Sequence, residues 1–160
     1  MPTHAQRVRR AGFGPRYGDR VPEPSTLYAR VGGFAFFERL VERFYDGVAG
    51  DPVLLALYPE APDLTGARHR LRMFLVQYWG GPTTYSDERG HPRLRMRHGR
   101  FRVGVDERDR WLRHMLAAVE ATTAELPSDI AEDVRAALTG YFVPSADHLR
   151  NDGLRQFAPG

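Results

Sequence analysis

Apolar residues recur along this chain at the spacing of α-helices and nowhere alternate as in a strand. Phe37, Leu40, Val41, Phe44, Tyr45 and Val48 form one stripe and predict an amphipathic helix over 33–49. A short helix over 25–31, opened by Ser25 as N-cap, precedes it, and Gly32-Gly33 permits a sharp corner between the two. Asp51-Pro52 supplies a cap and a first-turn proline for a short helix to about Leu57, ended by Tyr58-Pro59. Asp63 caps the next helix, whose inner face is Leu64, Ala67, Leu71, Phe74, Leu75 and Tyr78, with Arg68, His69 and Arg72 outside it.

Gly80-Gly81-Pro82 stops that helix, and a loop through Gly90 is expected. His91-Pro92 then opens a short arginine-rich helix containing His98. A long helix follows over 105–122, with Trp111, Met115 and Ala118 on one face. Pro127-Ser128 begins the last helix, with Ile130, Val134, Leu138, Tyr141 and Leu149 inward and Pro144 placed to kink it. The expected fold class is all-α: one domain over 25–151, a basic arm over 1–24, and a tail over 152–160.

Composition narrows the chemistry. Cysteine is absent, which excludes disulfides, thiolate ligands and a cysteine nucleophile. All 23 residues counted as lysine or arginine are arginine, so a Schiff-base or P-loop lysine is excluded as well. Coding bias explains such a composition as readily as function does. No apolar run is long enough for a transmembrane helix, and none follows the first arginines as a secretory signal requires; the expected location is the cytoplasm. A net charge of +3 does not by itself indicate nucleic acid.

Among the six histidines, His98 stands apart. Leu94, His98 and Phe101 lie at i, i+4 and i+7, so a helix would place the imidazole between apolar neighbours while arginines flank it. That pattern suits a metal ligand at the edge of an apolar pocket holding a ligand with anionic groups, the description of a haem seat. An ordinary half-buried core histidine fits the same spacing. His4 lies in the arm, His69 and His91 read as exposed, and His114 and His148 have no anion-holding rim around them. Arginines 89, 93, 95, 97, 100 and 102 could instead form a phosphate-binding patch, diluted by Asp106, Glu107 and Asp109. Arg97, beside His98, is the one aimed at a haem propionate. Tyr45, Tyr58 and Trp111 lie on or beside apolar stripes and default to packing, yet each carries a donor that needs a partner when buried. Around a dry cavity, three such donors would stabilise negative charge on a bound ligand.

These residues resemble the truncated haemoglobins, and within them group II, the O type found in actinobacteria. The likeness runs from about Leu27 to Asn151. It is densest in Leu71-Arg72-Met73-Phe74-Leu75, in Gln77-Tyr78-Trp79-Gly80-Gly81-Pro82, and in the run from Arg89 to His98. Phe101, Glu107-Arg108-Asp109 and Trp111-Leu112-Arg113 continue it. The resemblance implies a two-over-two helical sandwich around haem b, with His98 as proximal iron ligand. It makes Tyr45, in Arg43-Phe44-Tyr45, the distal tyrosine and Tyr58 the second, with Trp111 the tryptophan characteristic of group II. Ala67 falls where many globins carry a distal histidine, and Leu71 would line the ligand side. Arg70 and Arg97 would lie near the propionates, with Phe74, Leu94, Phe101 and Met115 against the macrocycle.

The implied function is reversible binding of dioxygen, and of carbon monoxide and nitric oxide, in a homodimer or higher homo-oligomer. Two alternatives stand beside it: nitric oxide dioxygenation or peroxide chemistry with an external reductase, and a haem-free basic module for nucleic acid. The basic arm and Pro144 depart from the family pattern.

Overall fold

The structure, a computed structural model, describes residues 26–90 and 103–150. The expected arm over 1–24, the His98 helix and the tail over 152–160 lie outside the described residues, as does Ser25. Within them the chain is helical: α1 (Leu27–Arg30), α2 (Phe34–Ala49), α3 (Pro52–Leu55), α4 (Thr65–Tyr78), α5 (Thr84–Arg89), α6 (Val105–Thr123) and α7 (Ser128–Leu149).

Thr26 caps α1, its hydroxyl accepting the Ala29 N–H at 3.2 Å. The corner before α2 needs glycine, because Gly32 and Gly33 both sit at φ +87°, where a Cβ is disfavoured. α2 is the central element and packs on α4 and α6, while α6 also packs on α7. Its buried face is Phe36, Phe37, Leu40, Val41, Phe44, Tyr45 and Val48. Removing each such side chain from water is worth about 1.5–3 kcal/mol, so this stripe outweighs any local helix propensity.

The Asp51 carboxylate accepts from the N–H groups of Val53 and Leu54, and Pro52 fills the first turn of α3, as the residue types predicted. The regular helix ends at Leu55, short of Leu57. Asp63 accepts the Thr65 N–H at 3.0 Å and so serves the first turn of α4, although Leu64 holds the N-cap position.

Two expectations are corrected. Tyr78 is not inward: it is 53% exposed at the end of α4, where Val76 takes the buried place. The segment after Pro82 is not all loop, because 84–89 form α5. A side-chain clasp holds it: Gln77 donates through Nε2 to Ser86 Oγ at 2.7 Å and accepts the Ser86 N–H at 2.9 Å. Arg68, outside the inner face of α4, reaches back over α2 to Glu42 and Asp46.

α6 opens at Gly104, whose N–H is accepted by Glu107 at 3.0 Å, and Asp106 and Glu107 complement the helix dipole. α7 runs through Pro144 to Leu149, burying Val134, Leu138, Phe142 and Ala146. Pro144 lacks the N–H that would bond the Gly140 carbonyl. Both residues are exposed, which leaves that carbonyl open to water. No helix among the described residues is long and apolar enough to cross a membrane.

Candidate functional site

Tyr45 sits on the inner stripe of α2, only 4% exposed. Tyr58 follows α3, and its ring meets that of Tyr45 edge-on with centroids 5.6 Å apart. The two phenols hydrogen-bond to one another. Burial pushes both hydroxyls up, Tyr58 to about 12 and Tyr45 well above the ordinary tyrosine value; Tyr58 adds to the rise at Tyr45, and the Arg70 guanidinium counters it at both. Each phenol therefore keeps its proton across the physiological range; the bond between them uses one O–H, that of Tyr45, and leaves the Tyr58 O–H free to donate.

Phe44 links this pair to Trp111 on α6: its ring lies 4.9 Å from Tyr45 and 5.3 Å from Trp111. Around them Ala67, Phe74 and Met115 are buried, and Leu71 is partly buried against the same core. Arg70, one turn along α4 from Gly66, stands close enough to Tyr45 and Tyr58 to act on both. The predicted residues Tyr45, Tyr58, Ala67, Arg70, Leu71, Phe74, Trp111 and Met115 thus belong to three packed helices and the turn after α3. Arg97, His98, Leu94 and Phe101 lie outside the described residues.

Two contributors escaped the sequence reading. Arg68 donates to the Glu42 carboxylate at 2.7 Å, to the Glu42 carbonyl at 3.2 Å and to Asp46 at 3.2 Å, and its guanidinium lies over the Tyr45 ring at 5.7 Å. The only hint was Glu42 and Asp46 spaced four apart on α2, readable as a carboxylate pair but not as partners of a residue 22 to 26 positions away. His114 is the second. Its Nε2 stands 2.9 Å from Asp51 Oδ2, while Arg110 donates to Oδ1 at 3.1 Å. Burial raises the Asp51 carboxyl, but His114, the Leu54 N–H and Arg110 together hold it below its ordinary value. The cluster anchors the start of α3, the element that leads to Tyr58.

Among the described residues no group of three or more histidines and carboxylates could hold a bare metal ion. The donor set is of another kind: protonated phenols and an indole set in aromatic and aliphatic surroundings. That arrangement fits one face of a flat apolar cofactor whose bound ligand needs hydrogen-bond donors.

An all-helical arrangement in which α2 packs on α4 and α6, and α6 on α7, is that of a globin. The bacterial-like globin family model matches residues 26–139. The chain is 35% identical over 119 residues to the group 2 truncated hemoglobin YjbI of Bacillus subtilis, covering 74% of this chain and 84% of that one. Among solved structures it resembles the thermostable hemoglobin of the actinobacterium Thermobifida fusca, at 53% identity and TM-score 0.73, over 80% of this chain and 98% of that one. The hemoglobin of Chloroflexus aurantiacus is similar at 45% identity and TM-score 0.72, over 79% and 98%. The chain belongs to the bacterial-like globins and, within them, to the group II truncated haemoglobins. It is a haem-binding globin, and its cofactor is haem b.

Proposed function

We propose that this globin binds dioxygen reversibly, with carbon monoxide and nitric oxide as competing ligands. His98 is the proximal ligand, and Tyr45, Tyr58 and Trp111 are the distal donors. The observation that carries this reading is the hydrogen-bonded pair of buried Tyr45 and partly buried Tyr58, joined through Phe44 to Trp111. Haem supplies the iron at which a diatomic ligand binds. The chain supplies the rest. Phenol and indole protons directed at a ligand that gains negative charge hold it more strongly in a dry pocket than in water. Ala67 leaves room where a larger side chain would crowd the ligand, and Leu71, Phe74 and Met115, with Leu94 and Phe101, keep water out. Arg70 and Arg97 balance the propionate charges. The globin unit spans 25–151, between a basic arm and a short tail, and associates as a homo-oligomer in the cytoplasm.

Absorption spectra of the ferric, ferrous and carbon-monoxide forms, for wild type and His98→Ala, test the ligand. An alanine variant that keeps an unchanged histidine-ligated spectrum rules His98 out. Stopped-flow oxygen release tests the donors: Trp111→Phe should release oxygen faster, and an unchanged rate removes Trp111 from the donor set.

A further inference from the structure

The aromatic contacts do not end at the pocket. From Trp111 the row continues to Phe142 on α7 at 5.9 Å, then to Tyr141 at 5.2 Å and Tyr78 at 4.3 Å between ring centroids. Tyr78 is 53% exposed at the surface end of this row. Three helices, α6, α7 and α4, contribute, so no single element's amphipathic pattern accounts for the alignment. Trp79 flanks the outer end of the row, 5.1 Å from Tyr78 and 5.6 Å from Tyr141, and Phe74 lies 6.1 Å from Tyr78; the remaining rings beyond the pocket stand apart from it. Tyr28 stacks on Phe37, which meets Phe36, and that group has no ring contact with Trp111. Tyr85 is buried against Phe74.

Tyr78 and Tyr141 open into a surface groove of about 620 Å³ shared with Pro144, Ser145 and His148. The Tyr141 phenol is held back from water, its hydroxyl pushed up to about 12 by burial, with the nearby Tyr78 adding to the rise and a hydrogen bond with Ser145 opposing it. The Tyr78 side chain stands in contact with water. The row therefore grades from an indole at the pocket, through a sheltered phenol, to a phenol in contact with water. Tryptophan and tyrosine are the side chains that give up an electron most readily, and phenylalanine serves only as a bridge between them.

We propose that Trp111, Phe142, Tyr141 and Tyr78 form an electron conduit from the haem pocket to the surface, with Tyr78 as the terminal donor when hydrogen peroxide is the oxidant. The conduit rests on haem sitting beside Trp111. Peroxide reduced in the pocket draws an electron from Trp111, which is refilled through Tyr141 from Tyr78. Trp111 and Tyr141 end unchanged. Tyr78 loses one electron, and its exposed hydroxyl releases the proton to water. One peroxide takes two electrons through the same conduit. The first Tyr78 radical is refilled, electron and proton, by the Tyr78 phenol of a second molecule. The second passage oxidises the first chain's Tyr78 again, and the two radicals join through a carbon–carbon bond between their rings. The balance is two phenols and one peroxide giving one dityrosine and two waters: the peroxide O–O bond breaks, taking two electrons and two protons.

The test treats the ferric holoprotein with hydrogen peroxide in the presence of a chelator for free iron, then measures dityrosine fluorescence and maps the cross-link by mass spectrometry. The wild type should give a covalent dimer joined through Tyr78. Tyr78→Phe should abolish that cross-link. Tyr141→Phe should also lose it, though Tyr78 remains, while its Soret band and carbon-monoxide binding stay as in the wild type. Wild-type protein that forms no Tyr78 cross-link overturns the conduit. So does a Tyr141→Phe variant that cross-links through Tyr78 at the wild-type yield. A purified protein with no Soret band overturns the haem reading itself, and the spectrum of the same sample tells that failure from a broken conduit.

Discussion

His114 on α6 and Asp51 at the start of α3 meet at 2.9 Å, so a carboxylate 6% exposed caps one helix and is gripped by another. Asp51 satisfies the first N–H groups of α3 with Oδ1 and takes His114 on Oδ2, while Arg110 bonds Oδ1 from the side. The capping residue is thereby also the joint between the α2–α3 corner and α6.

Losing that carboxylate removes a cap and strands the polar atom of His114. Asp51→Ala should destabilise the fold by about 2–4 kcal/mol, the sum of a lost N-cap and an unpaired, partly buried donor. Urea unfolding at neutral pH measures it, and a loss no larger than that of a surface alanine would mean the grip contributes nothing.

The same group sets an acid dependence. The folded protein holds the Asp51 carboxyl below its ordinary value, so the unfolded chain binds the proton more readily. The stabilisation is complete above the unfolded pKa, about 3.9, and is lost as pH falls through the lower folded value. Asp51→Asn should flatten this part of the stability–pH curve, as denaturant titrations at successive acid pH values will show. A slope identical to that of the wild type would assign the acid loss elsewhere.

Gly47 lies under His114. A Cβ there would come within 2.4 Å of the ring Nδ1 and 2.9 Å of Cγ. Helix propensity favours alanine over glycine by roughly 1 kcal/mol, but the clash pushes the imidazole off Asp51. We expect Gly47→Ala to lower the melting temperature, with overpacking costing about 1–3 kcal/mol. A variant as stable as the wild type would show that His114 swings away freely.

The Gln77 clasp gives a local prediction. Replacing Gln77 by alanine leaves the Ser86 N–H and hydroxyl without their partners and should melt α5 while α2 and α6 stay protected. Amide hydrogen exchange reads the difference. Unchanged protection across 84–89 would mean that α5 holds without the clasp.

The tyrosine pair predicts an insensitivity. Burial keeps Tyr58 protonated to about 12 and Tyr45 far above the ordinary value, so their donors persist in alkaline solution. Oxygen release should therefore be flat up to about pH 10, where an exposed tyrosine would be half ionised. An acceleration centred near that pH would show that one phenol ionises while ligand is bound.

Reading the chain alone was enough for every described helix but α5, because periodicity, caps and glycine corners act over a few residues. The α2 stripe, the Asp51-Pro52 start and the stop after Tyr78 are all local signals, and the run from Leu71 to Trp111 carried the family likeness. The same reading grouped Tyr45, Tyr58 and Trp111. It missed α5, since a short polar helix has little apolar period and depends on Gln77 reaching over from α4. It turned Tyr78 inward because spacing cannot tell a helix's last turn, beyond the core's edge, from the turns before it. Only the tertiary structure decided which charges meet. Arg68 on Glu42 and Asp46, His114 on Asp51, and the row from Trp111 to Tyr78 join residues far apart in the chain. Such pairings follow from how helices cross, and a sequence pattern records which face a residue is on but not what stands opposite it.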